Sequence, residues 1–170
     1  MPAAASQVEA LPATFQDLAR LAAEKKLYAV LDACASPAIQ AKVEGLGPDL
    51  APCLYRGNVD PKVLAVAPYV AAVDPPLLDW LRSTVWAEPW GIFVATPADL
   101  KTVRTHLRKF LVVKNPQGET LYFRYYDPRV LATFLGSCNR EEVEESFGPL
   151  LAYGYVVAQD LEVRLLCKRI

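Results

Sequence analysis

Five times in this chain a residue able to cap a helix stands directly before proline: Ser36-Pro37, Asp60-Pro61, Asp74-Pro75, Thr96-Pro97 and Asp127-Pro128. A Ser, Thr or Asp side-chain oxygen accepts hydrogen bonds from the orphan N–H groups of a first helical turn. Proline at the first helical position loses nothing, because its missing N–H has no intrahelical partner there. Each pair is therefore expected to start a helix.

The residues that follow agree. After Thr96-Pro97, Leu100, Val103, Leu107 and Phe110 recur at spacings of three and four and form one stripe, with Lys101, Arg104 and Arg108 on another. Leu77, Leu78, Leu81 and Val85 repeat the pattern after Asp74-Pro75, and Val130, Leu131, Phe134 and Leu135 after Asp127-Pro128. Asn139 followed by Glu142 is close to a capping box, with Val143 and Phe147 on the buried side. An opening helix is expected over residues 14–25.

Between the helix starts lie short apolar runs that read as strands, at 27–31, 53–55, 69–73 and 90–95. Two hairpins follow. Residues 111–113 and 120–125 flank the turn sequence Asn115-Pro-Gln-Gly118, and 151–157 and 161–167 flank Ala158-Gln-Asp160. In the last strand Leu161, Val163, Leu165 and Cys167 alternate with Glu162, Arg164, Leu166 and Lys168, the pattern of a half-exposed strand. Residues 43–52, with Gly45, Gly47 and Pro48, read as a loop. Strand–helix alternation followed by hairpins predicts an α/β, or mixed α+β, fold. Its central sheet is expected to mix parallel and antiparallel strands, flanked by helices, with two β-hairpins in the C-terminal half. A length of 170 residues fits one domain over 1–170, long enough to bury a core.

The bulk numbers exclude some partners. Hydrophobic residues at 53% and charged residues at 22% are ordinary for a soluble globular chain. A formal net charge of -1 argues against a phosphate backbone as the main partner, so nucleic-acid binding through Lys101, Arg104, Arg108 and Lys109 is disfavoured. Cys34, Cys53, Cys138 and Cys167 have no C-x-x-C spacing, so no metal site is expected, and they read as plain thiols in a reducing compartment. The opening Met1-Pro-Ala-Ala-Ala-Ser lacks a basic region and a long apolar region, and no stretch nears the roughly 18 apolar residues of a membrane span. A cytoplasmic protein without a membrane span is expected.

No catalytic constellation stands out, and no cofactor is implied. Gly45-Leu-Gly47 lacks the third glycine and the strand–helix setting of a phosphate loop. His106, the one histidine, sits among Arg104, Arg108 and Lys109 and reads as partly exposed, without a local carboxylate to orient it. Asp32 ends the first predicted strand, where α/β proteins often keep functional groups, but it or Ser36 reads first as a cap for the following helix. Glu141, Glu142, Glu144 and Glu145 read as a solvated face that suits a helix N-terminus. Trp90 heads a strand and reads as core, whereas Trp86 reads as a surface residue and a candidate partner contact.

The densest segment is Phe123-Arg-Tyr-Tyr-Asp-Pro-Arg129, which joins a hairpin strand to a helix start. Alternation puts Phe123 and Tyr125 on one face and Arg124 on the other. Asp127 caps, and the aromatics pack. The same segment offers a recognition surface for carboxylates or a peptide through Arg124, Tyr126 and Arg129.

An ordered set of segments resembles a bacterial family that was named as a domain of unknown function and is associated with effector adaptors of type VI secretion systems. The set is Leu27-Tyr-Ala-Val-Leu-Asp32, Cys53-Leu-Tyr55, Trp80, Trp90-Gly-Ile-Phe93, Leu107-Arg-Lys-Phe110 and Phe123 to Arg129. The likeness covers about 27–148 and is strongest at Phe123 to Arg129. It implies a non-enzymatic cytoplasmic adaptor, or chaperone, of a Gram-negative bacterium. Such an adaptor binds a cognate secreted effector and the C-terminal part of the VgrG spike protein and loads the effector on the spike. The candidate partner-binding residues are Arg124, Tyr126, Arg129, Arg104, Arg108 and Trp86. The family commonly carries a longer, variable C-terminal region, so residues 149–170 read as a closing hairpin or as the start of such a region. The alternative reading is a small-molecule-binding or enzymatic domain that uses the Phe123–Arg129 corner.

Overall fold

The computed structural model describes residues 6–170. The stretch 1–5, most of the opening segment read above as lacking a basic and a long apolar region, lies outside the described residues. In chain order the elements are β1 (Val8–Ala13), α1 (Phe15–Ala23), β2 (Leu27–Asp32), α2 (Pro37–Leu46), α3 (Pro61–Leu64), β3 (Pro68–Ala72), α4 (Pro75–Thr84) and β4 (Gly91–Ala95). Then come α5 (Leu100–Leu107), β5 (Val112–Lys114), β6 (Thr120–Tyr122), α6 (Pro128–Ser137), α7 (Arg140–Phe147), β7 (Ala152–Val156) and β8 (Val163–Lys168).

Four of the five cap–proline pairs start helices as expected. Ser36 accepts from the N–H of Ala38 (3.2 Å), Asp60 from Lys62 (2.8 Å), Asp74 from Leu77 (2.9 Å) and Asp127 from Arg129 (2.9 Å). The pair Thr96-Pro97 does not. Asp99 caps α5 instead, accepting from the N–H of Thr102 at 2.8 Å. Thr96 is fully buried and its hydroxyl is committed elsewhere. It donates to the Pro149 carbonyl at 2.7 Å and accepts from the N–H of Ala98 at 3.1 Å. That hydroxyl ties the end of β4 to the chain entering β7 rather than starting a helix.

The sheet has six strands in the order β1-β8-β7-β4-β2-β3, and every neighbouring pair is antiparallel. The fold is mixed α+β, but the expected mixture of parallel and antiparallel pairing is corrected. The helical connections do join strands that run the same way: α1 leads from β1 to β2, and α4 from β3 to β4. These strands are never neighbours. β2 lies between β3 and β4, and three strands separate β1 from β2, so the immediate neighbours of every strand run in the opposite direction.

Both faces of the sheet are covered, which is why β2 and β4 are buried along their whole length. Side chains alternate across a strand. Leu27, Ala29 and Leu31 face a core with Leu18 of α1, Ile39 of α2 and Leu78 of α4. Tyr28 and Val30 face a core with Leu107 of α5, Leu135 of α6 and Phe147 of α7. β8 places Val163 in the first core and Leu166 in the second while its other four residues stay partly exposed, so it is half-exposed as expected, but both of its faces contribute to a core. Trp90 is core as expected, with its ring edge-on to Phe93 at 4.9 Å. Next to it Gly91 has φ +146, and a Cβ there would stand 1.8 Å from the Val30 carbonyl oxygen. Only glycine allows β4 to come this close to β2.

Three other local expectations change. β1 was not anticipated; Pro12 interrupts its run, and an edge strand tolerates a proline that donates no ladder bond. Segment 53–55 keeps only an isolated bridge from Cys53 to Tyr69. The loop expected from 43 begins at Gly47, because α2 continues through Leu46. The two C-terminal hairpins are present, β7–β8 within the main sheet and β5–β6 as a separate two-stranded ribbon.

Candidate functional site

The strand–helix corner is built from two commitments. Tyr125 and Tyr126 are buried, and the Tyr125 hydroxyl donates to the Leu107 carbonyl at 2.8 Å. Phe123 packs edge-on to Phe134 at 4.8 Å. The strand expected over 120–125 ends at Tyr122, and in the turn that follows the Arg124 guanidinium pairs with the carboxylate of Asp32. Asp32 is 1% exposed and Arg124 45%. Asp32 also accepts from the N–H of Cys34 at 3.0 Å, so it stabilises the turn after β2, and Ser36 caps α2. Burial pushes the Asp32 carboxyl above its ordinary value, against the opposing pull of Arg124. On Arg124, burial works downward but Asp32 outweighs it, and the guanidinium is held above its ordinary value.

Asp127 performs two tasks. It caps α6 and accepts the Arg129 guanidinium at 2.9 and 2.7 Å, which holds its carboxyl below the usual range. The Arg129 side chain remains 71% exposed. Burial raises the Tyr126 hydroxyl well above its ordinary value, and Tyr55 and Asp32 add to the shift. Tyr55 in turn packs against Tyr122 with the rings tilted at 59° and a centroid distance of 5.4 Å.

Tyr55 links the corner to the basic stripe of α5. Arg104 donates to the Cys53 carbonyl at 3.2 and 3.1 Å. Arg108 donates to the carbonyls of Leu54 (3.0 Å), Cys53 (3.2 Å) and Tyr55 (3.0 Å). The two arginines therefore hold the 53–55 segment, whose carbonyls the sheet leaves unpaired. Arg124, Tyr126, Arg129, Arg104 and Arg108 thus form one connected region. Trp86 stands apart in the opposite core, half-buried, donating to the Leu161 carbonyl at 3.0 Å.

His106 is not at the surface, contrary to expectation. It is buried at 4% exposure, edge-on to Phe110 at 5.1 Å, with Nε2 2.8 Å from the Ser146 carbonyl. A carbonyl can only accept, so Nε2 carries the proton. Burial holds the imidazole below its ordinary value, Lys109 adds to this, and the Ser146 bond opposes it.

The β5–β6 ribbon shapes the surface beside this region. Val112 lies opposite Tyr122 and Val113 opposite Leu121, so each pair projects from one face of the ribbon. All four are exposed. Val112 and Tyr122 border a groove of about 560 Å³ with Arg56, Arg108, Lys109 and Val63. Val113 borders a second depression of about 370 Å³ with Phe110, Phe123, Phe134, Glu142 and Glu145. The sequence reading missed the first groove. Its available signal was Tyr122 facing Val112 across a short, exposed ribbon.

Among the described residues, no helix is long and apolar enough to cross a membrane. No curated protein and no solved structure matches the chain. Residues 27–145, which include every element from β2 through α6 and most of α7, match one family model, and the chain belongs to that family, described as Domain of unknown function (DUF4123).

Proposed function

We propose that this protein is a non-enzymatic adaptor that binds a type VI secretion effector and the C-terminal part of VgrG and loads the effector on the spike in the bacterial cytoplasm. The observation that carries this reading is the family match over 27–145, nearly the same stretch on which the resemblance to effector adaptors rests. Two structural facts support it. The polar groups that invited a catalytic reading are satisfied by the fold: Asp32 by Arg124 and the Cys34 N–H, His106 by the Ser146 carbonyl. The surface next to them carries exposed apolar side chains in grooves, a feature typical of protein docking. Among the proposed contacts, Arg129 is the most open to a partner, since its one side-chain ion pair is local.

The test is co-purification of the chain with VgrG and with the effector encoded beside it. Wild type should retain both. Arg129→Glu should weaken capture about tenfold, as loss of a favourable rim charge and gain of an unfavourable one allow. Failure of the wild-type chain to retain either partner, with effector delivery intact after gene deletion, would refute the reading.

A further inference from the structure

The groove between the β5–β6 ribbon and the α3 segment combines two features that a lone protein surface has no use for. The first is unbalanced positive charge. Arg56, Arg108 and Lys109 line it, Arg104 lines the adjoining depression, and none of the four forms an ion pair among the described residues. The one carboxylate in its lining, Asp60, is occupied in capping α3 through the N–H of Lys62 at 2.8 Å. The cations also oppose one another: burial lowers the Arg108 guanidinium, and Arg104 and Arg56 lower it further. The second feature is an apolar rim. Tyr122 is 69% exposed, Val112 46% and Val63 42%.

We propose that this groove is a docking site for an acidic, amphipathic peptide segment of a protein partner. Carboxylates of the segment meet Arg56 and Lys109, and its apolar side chains cover Val63, Val112 and Tyr122. Arg104 and Arg108 contribute charge from behind, while their donors stay on the carbonyls of 53–55. A nucleic acid fits less well. It would supply the negative charge, but Tyr122 is the one exposed aromatic on the rim, and the aliphatic Val63 and Val112 beside it give successive bases no stacking platform. The chain's net charge of -1 also provides little general attraction for a polyanion. That the segment belongs to the effector or to VgrG rests on the adaptor reading. The groove's chemistry does not.

The experiment uses the full chain and short fluorescein-labelled peptides, read by fluorescence anisotropy. One peptide alternates Glu with Leu. Its counterpart alternates Lys with Leu, a third contains Glu with Ser, and a single-stranded oligothymidine serves as the polyanion. The Glu/Leu peptide should bind, and its affinity should fall as salt rises. The Lys/Leu and Glu/Ser peptides and the oligonucleotide should bind at least tenfold more weakly. Arg56→Glu with Lys109→Glu should lower Glu/Leu affinity by about tenfold, and Tyr122→Ser by several-fold. Among the described residues these three exposed side chains form no side-chain hydrogen bond or ion pair, and Tyr122 touches Tyr55 only at the surface, so the thermal midpoint should move by no more than a few degrees and serves as the folding control. Unchanged affinity in both variants overturns the proposal, and so does oligonucleotide binding equal to that of the Glu/Leu peptide. Capture of VgrG and the effector by the same variants separates the two ideas. Wild-type capture that the variants keep sinks the groove but leaves the adaptor. Peptide binding at the groove without capture of either partner sinks the adaptor but leaves the groove.

Discussion

Removing the Arg124 guanidinium tests how much the corner depends on a contact across the fold. Asp32 is 1% exposed, so Arg124→Ala leaves a buried carboxylate with the Cys34 N–H as its remaining partner. Stripping one member from a fully buried pair costs about 3–5 kcal/mol, whereas an exposed pair is worth about 0–1 kcal/mol. Arg124 is 45% exposed, and solvent screens its half of the pair. An intermediate cost of about 2 kcal/mol follows, equivalent to a loss of roughly 4–8 °C in thermal midpoint for a chain of this size.

The pH dependence has a definite sign. The folded-state carboxyl of Asp32 already lies above its ordinary value of 3.8, and Arg124 is one of the groups pulling it down. Without Arg124 it rises further. A carboxyl raised on folding binds its proton more readily in the native state, so the group destabilises at neutral pH; the penalty begins to shrink as pH falls through the folded value and is gone below the ordinary 3.8. The deficit of Arg124→Ala should therefore be largest near neutral pH and shrink as pH falls towards the ordinary carboxyl value of 3.8. Urea unfolding followed by tryptophan fluorescence, using the chain's three tryptophans, reads both quantities. In an Asp32→Asn background the same substitution should cost much less, because no buried charge is stranded. A cost below about 0.5 kcal/mol, an equal cost in the Asp32→Asn background, or a deficit independent of pH would refute the reasoning.

Three further outcomes follow from the same structure. His106 is the one histidine, so a single imidazole signal reports on it by NMR; it should titrate below the ordinary 6.5, because burial disfavours the charged ring. The unfolded chain then binds the extra proton, so this group's share of stability is complete above 6.5 and falls as pH drops through the interval beneath it; titration at or above 6.5 would contradict its burial. Asp99→Ala should cost about 1 kcal/mol as a lost helix cap. Thr96→Val should cost about 1–3 kcal/mol by leaving the Pro149 carbonyl and the Ala98 N–H unmatched, measurable by the same urea titration, and a cost near zero would show that Thr96 does not hold β4 to the approach to β7.

What could be read along the chain was set by local chemistry, and what could not was set by contacts between distant residues. Ser36, Asp60, Asp74 and Asp127 cap because a short oxygen-bearing side chain and a following proline suffice for a first turn. Thr96 has the same local signal, but the Pro149 carbonyl, 53 residues away, competes for its hydroxyl. The apolar runs of β2 and β4 reported truthfully that both faces of those strands are covered. They carry no information on the direction of the neighbour, and so the insertion of β2 between β3 and β4 was invisible. His106 was placed by the charges beside it in sequence, yet its position three residues after Val103 and four before Phe110 puts it on the buried stripe, and that spacing was the better guide. The Phe123–Arg129 corner was legible as a joint because alternation and an Asp-Pro pair are local; its partner Asp32 lies 92 residues away. The basic stripe of α5 shows why site residues were the hardest part. Periodicity places Arg104 and Arg108 together on a helix face, and the default for such a face is water or a partner. In the fold that face meets the irregular segment 53–55, whose carbonyls take their donors. Charge counted along one helix therefore overstates what those two arginines can offer a partner. The cations that keep their side-chain donors open at the groove, Arg56 and Lys109, come from segments that only the tertiary fold brings together.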